Sequence, residues 1–135
     1  MIEDDIYKIK GIELEKVKQN SPLDQWFYEM IQKKESELTL LDLSRLLRQE
    51  IYLDIAIPLA WKKILETPFC GEMYEGQLVE LLIRTLENNS EKKENSFYRL
   101  FAQDIAQKIE THEWGSDEEK NEYKRLTEEL ERLFE

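Results

Sequence analysis

Apolar residues recur along this chain at the three- and four-residue spacings of one helix face, with no convincing alternation of the kind a half-buried strand requires. Ser21-Pro22 marks a helix start: the serine can cap orphan amides, proline suits the first helical position, and Asp24 favours the positive end of the dipole. Leu23, Trp26, Phe27, Met30 and Ile31 follow as one broad stripe predicted to face the core, with a partner surface as the alternative for Trp26. Thr39 begins the next helix, with Asp42 in a capping arrangement and Leu40, Leu43, Leu46 and Leu47 as the buried face. Leu53, Ile57, Trp61, Ile64 and Leu65 carry the pattern to Glu66; Pro58 within it predicts a kink or a helix start. Thr67-Pro68 stops that run, and Gly71 and Gly76 frame a turn-rich connector.

The second half repeats the theme. Gln77 to Leu86 reads as a helix with Leu78, Leu81, Leu82 and Leu86 on one side, and residues 88–95 as a polar, flexible loop. Phe97, Leu100, Phe101, Ile105 and Ile109 predict one amphipathic helix, which Trp114-Gly115 ends. Ser116 with Glu119 forms a second capping box, and Tyr123, Leu126, Leu130, Leu133 and Phe134 stripe the last helix. At the amino end, Ile2, Ile6, Ile9, Leu14 and Val17 suggest a short helix interrupted near Gly11. The expectation is an all-α fold of about six helices in a single domain over residues 1–135.

Composition sharpens this. Only four Gly and three Pro in 135 residues imply short loops. The absence of a run of about 18 apolar residues speaks against a membrane span. MIEDDIYKIK lacks the basic-then-apolar order of a secretory signal, so a cytoplasmic location is expected. One cysteine, Cys70, cannot close an internal disulfide and reads as a small half-buried residue beside a turn.

Thirty acids against nineteen bases give a formal charge of −11. Such a chain repels phosphate backbones, and its basic residues sit in pairs among acids, so nucleic acid is not an expected ligand. A basic protein is the natural partner, although solubility alone would account for the charge.

Catalytic signatures are missing. The lone His112 lies at a helix end near Glu110 and Glu113, one Cys and one His are too few for a zinc site, and no glycine-rich phosphate loop occurs. The clusters Asp4-Asp5 and Asp117-Glu118-Glu119 suit helix starts better than convergent chemistry. No enzyme activity, cofactor or metal is expected. Arg48-Gln49, following a leucine-rich helix, is either solvated or tied to the Glu72–Gly76 connector, where Tyr74 offers a ring and a hydroxyl.

The succession Asp42-Leu43, Arg48-Gln49, Pro58-Leu59-Ala60, Pro68 and Gly71-Glu72-Met73-Tyr74-Glu75-Gly76-Gln77-Leu78 resembles a family of small bacterial immunity proteins from contact-dependent growth inhibition (CDI) systems. The likeness covers residues 40–82, with Asp42, Arg48, Gln49, Pro58, Gly71 and Gly76 as scaffold positions. Two features depart from the family pattern: a small residue or glycine is usual near Tyr52, and an aromatic-Trp pair usually follows the third helix.

The resemblance implies a cytoplasmic protein that binds the carboxy-terminal toxin domain of a surface-delivered effector. Such toxins are frequently nucleases, and so basic. A monomer acting one-to-one on that domain is expected. Its contacts are expected at Glu72, Tyr74 and Glu75 of the connector, in the 88–95 loop, and at Asp117, Glu118 and Glu119. The rival readings are a helical adaptor pairing through its Tyr123–Phe134 stripe, and a helical enzyme built on carboxylates.

Overall fold

Ser21, Thr39 and Ser116 each cap the helix that their positions predict. The Ser21 hydroxyl accepts from the Asp24 amide at 3.0 Å. Thr39 and Asp42 form a complete reciprocal box: the Thr39 hydroxyl accepts from the Asp42 amide (3.1 Å), and the Asp42 carboxylate accepts from the Thr39 amide (3.0 Å). At Ser116 the box is displaced. Its hydroxyl accepts from the Glu119 amide, but the Glu119 carboxylate reaches back to the amide of Gly115, one residue before the cap.

The chain is described by a computed structural model covering residues 3–89 and 95–135. Among these residues the regular structure is helical: eight α-helices and two short 3₁₀ turns, with no strand. Contacts group the chain into two compact units, Met1–Asp42 and Leu43–Glu135.

The first unit contains α1 (Ile6–Ile9), a turn at Leu14–Lys16, α2 (Pro22–Met30) and a turn at Glu35–Glu37. Gly11, at φ +66°, follows α1, as the expected interruption requires. The amides of Ile6 and Tyr7 donate to the carbonyls of Lys33 and Ile31, which holds α1 on the segment after α2. Trp26, Met30 and Ile31 are buried, as the stripe predicts, whereas Leu23 is exposed. Trp26 is thus a core residue. Its indole donates to the Asp42 carboxylate at 2.8 Å, and the Lys33 ammonium lies 2.7 Å from the same group.

Helix α3 (Leu40–Gln49) spans the boundary between the units. The second unit continues with α4 (Leu53–Glu66), α5 (Gln77–Asn88), α6 (Ser96–Ala102), α7 (Ile105–Thr111) and α8 (Asp117–Leu133). Helix α5 packs on both α4 and α8, and α4 also packs on α6. Being covered on two sides, α5 buries Leu78, Val79, Leu82, Ile83 and Leu86, a wider face than the one-sided stripe expected. Trp61 of α4 lies among Phe97, Phe101 and Phe134, with ring centroids 6.0–6.3 Å away.

Several local expectations change. Helix α4 starts at Leu53, so Pro58 lies within it and does not begin it. The face that α4 buries is Ile55, Ala56, Ala60, Trp61 and Ile64, while Leu53, Ile57 and Leu65 are only half-buried; small alanines allow closer helix approach than the branched residues do. The helix expected over Phe97–Ile109 is two helices, parted at Gln103-Asp104, and Leu100 is exposed where a buried position was expected. Tyr123, Leu126 and Leu130 of α8 are buried within their own unit, which removes the free apolar stripe that the adaptor reading needed. Of the expected 88–95 loop, residues 90–94 lie outside the described residues.

Candidate functional site

The connector between α4 and α5, residues 67–76, is short of regular hydrogen bonds, yet its backbone is fixed at both ends. The Cys70 amide donates to the Thr67 carbonyl, the Gly76 amide to the Phe69 carbonyl at 2.9 Å, and the Leu78 amide to the Cys70 carbonyl at 3.2 Å. Between these ties, the buried Gln77 side chain accepts from the Met73 amide at 2.8 Å. Both glycines are required by space. A β-carbon on Gly71 would collide with the Tyr74 carbonyl oxygen and come within 2.6 Å of the Gln77 Cβ. Gly76 takes φ +84° and lies against the Tyr123 ring.

A cluster of rings seats the connector on the α7–α8 junction. Phe69 lies 4.2 Å from the His112 ring and 4.9 Å from those of Trp114 and Tyr123. Trp114 donates its indole N–H to the Ile109 carbonyl, and Tyr123 its hydroxyl to the Pro68 carbonyl at 2.8 Å. Burial pushes the Tyr123 phenol above its ordinary value, which favours the neutral form that donates this bond. Sequence reading left Phe69 unremarked, took Trp114 only as a helix stop and Gln77 only as a helix start and part of the family pattern. For the two aromatics the available signal was rings lying in otherwise polar breaks.

The candidate contact residues divide between these two surfaces. Glu72, Tyr74 and Glu75 are exposed in the connector. Arg48 and Gln49 are exposed, and Glu72 lies 3.8 Å from Arg48, an ion pair beyond hydrogen-bond reach. Of the two alternatives, Arg48-Gln49 is therefore solvated, with only a loose link to the connector. Burial, then the carboxylate of Glu80, pushes the Tyr74 phenol above its usual value, which places Tyr74 beside α5. Glu75 meets His112 Nε2 at 2.9 Å, so the histidine's partner is Glu75, not its sequence neighbours Glu110 and Glu113. Asp117, Glu118 and Glu119 are exposed in the first turn of α8; of these, Glu119 is engaged by the Gly115 amide.

The scaffold positions are placed as follows. Asp42 is buried in its capping box. Arg48 and Gln49 are exposed at the end of α3, Pro58 is half-buried in α4, and Gly71 and Gly76 bracket the connector. Tyr52 takes φ +48°, a left-handed conformation that glycine adopts without strain and a side chain with a β-carbon does not. Among the described residues no group of three or more His, Cys, Asp or Glu is arranged to hold a metal, and no helix is long and apolar enough to cross a membrane.

The sequence pattern of the CDI immunity proteins matches residues 8–100, from α1 through most of α6, with the whole connector inside the match. The chain belongs to the family of CDI immunity proteins. Membership gives it an immunity function against a CDI toxin, and that toxin is its cognate partner. The match stops before α7 and α8, so Asp117, Glu118 and Glu119 lie beyond it while Glu72, Tyr74 and Glu75 lie within. No curated protein and no solved structure matches the chain.

Proposed function

We propose that this chain neutralises the carboxy-terminal toxin domain of a CDI effector by tight, one-to-one binding in the cytoplasm. It acts as a monomer and without cofactor or chemistry of its own. The observation that carries the reading is the family match over residues 8–100, joined to a formal charge of −11. The toxin domain is a basic nuclease in this reading. A surface built to hold phosphates attracts carboxylates, and an acidic immunity protein competes for it by occlusion or electrostatic capture. Glu72, Tyr74 and Glu75 with Asp117, Glu118 and Glu119 are the proposed contacts. The exposure of these residues supports that choice, and the ring cluster about Phe69 gives the connector a firm seat.

Co-expression tests it. The toxin domain of the effector encoded beside this gene should arrest growth alone and not when this chain is present. The purified pair should elute as a one-to-one complex. Equal arrest with and without this chain would remove the proposal.

A further inference from the structure

The connector packs one aromatic residue among rings, where it is half-buried, and displays two other residues. Phe69 is enclosed by His112, Trp114 and Tyr123, whereas Met73 is 80% exposed and Tyr74 49% exposed. Scattered exposed apolar residues are ordinary on protein surfaces. Here, however, the two are consecutive, and they sit on a backbone held by the Gln77 side chain, by the tie from Gly76 to Phe69, and by the absence of room for any side chain at Gly71. A fixed loop that presents methionine and tyrosine loses little conformational freedom when it binds. Methionine adapts to irregular pockets, and tyrosine is among the residues enriched at the energetic centres of interfaces.

The surroundings indicate the kind of socket. Glu72 and Glu75 flank the pair in the chain, and Glu80 lies beside the Tyr74 phenol. Arg48 and Arg84 act on that phenol more weakly, so acids outnumber cations around the pair. The Glu72 carboxylate stands 3.8 Å from Arg48 and therefore keeps hydrogen-bonding capacity for an outside cation. An apolar knob with a carboxylate rim is complementary to an apolar pocket bordered by lysine and arginine.

We infer that Met73 and Tyr74 form the anchor of the toxin interface, entering an apolar pocket on a basic toxin domain while Glu72, Glu75 and Glu80 meet the cations around it. This rests on the binding function proposed above and names the surface that holds the complex together. The anchor governs dissociation, because burying it is what must be undone, and remote carboxylates govern encounter.

The full-length chain and the isolated toxin domain supply the test, with association and dissociation rates measured at low salt and at about 0.5 M salt, where surface charges are screened. Met73→Ala/Tyr74→Ala should melt within a few degrees of wild type, since Met73 is exposed and Tyr74 about half exposed. It should dissociate roughly 30-fold faster or more at both salt concentrations, with an association rate within about threefold of wild type. Met73→Lys should dissociate at least as fast, and Met73→Leu should restore slow dissociation. A double variant that leaves the complex as slowly as wild type overturns the anchor while the binding function stands. A wild-type chain that binds no toxin domain overturns both.

Discussion

Gly76 and Tyr123 meet so closely that a β-carbon on the glycine would lie 2.6 Å from Cδ2 of the ring. The contact joins the end of the connector to α8, and Gly76 also needs a positive φ of 84°. Gly76→Ala therefore combines backbone strain with overpacking and should cost about 2–4 kcal/mol. Gly11 shares the positive φ, at 66°, but has open space where a β-carbon would go, so Gly11→Ala should cost only about 1 kcal/mol. Thermal or urea denaturation of the two variants compares them; equal losses would show that the ring contact contributes nothing.

Helix α3 ends in a Schellman motif with an unusual occupant. The Ile51 amide donates to the Leu46 carbonyl and the Glu50 amide to the Leu47 carbonyl, placing Glu50 at the left-handed position with φ 53°. Glycine is the usual residue there. Glu50→Gly should stabilise the protein by about 0.5–1 kcal/mol, because the relief of strain exceeds the weak, exposed 3.4 Å contact with Asn89. The denaturant midpoint should rise with an unchanged slope.

Asp42 should make the first unit acid-sensitive. Burial pushes its carboxyl up, but hydrogen bonds from Lys33, Thr39 and Trp26 outweigh this and hold it below the ordinary aspartate value. A depressed carboxyl contributes stability above its unfolded pKa and loses it as pH falls through the folded one. Stability should thus decline as pH falls below about 4. Asp42→Asn should flatten that decline and cost about 1.5–3 kcal/mol at neutral pH, with Lys33 left unpaired. A pH series of melting curves for both proteins gives the comparison.

Cys70 should be a slow nucleophile. It is half-buried, and burial raises its thiol above the usual value, outweighing Thr67 and Lys63. Less thiolate is present at pH 7 than in a free cysteine. Alkylation should lag behind glutathione at that pH and reach its half-maximal rate at higher pH; a rate equal to that of the free thiol would contradict this.

Asp117 and Glu118 are suited to steering the toxin, because they are exposed at the positive end of α8. Asp117→Asn/Glu118→Gln should slow toxin association severalfold at low salt and weaken its salt dependence, leaving dissociation nearly unchanged. Glu119 is kept out of this variant, since its carboxylate binds the Gly115 amide and its loss would also loosen the helix start. An association rate that is the same across salt concentrations would remove the patch from the interface.

Residue order alone determined the helical class, the three capped helix starts, the stop at Thr67-Pro68 and the family resemblance. Those features are set by interactions a few residues long: a hydroxyl reaching an amide one turn ahead, a proline restricting the residue before it, an apolar face recurring with the helix period. Only the tertiary structure decided which residues meet across the chain. The helical period marked α5 as amphipathic but carried no information on how many neighbours would cover it, nor did it reveal the division at Gln103-Asp104. The partnership of His112 with Glu75, the seat of Phe69 among three rings, and the outward presentation of Met73 join positions tens of residues apart or depend on a turn of fixed shape. Periodicity is blind to such relations because they arise from packing in three dimensions, where a glycine without room for a β-carbon determines which way its neighbours face.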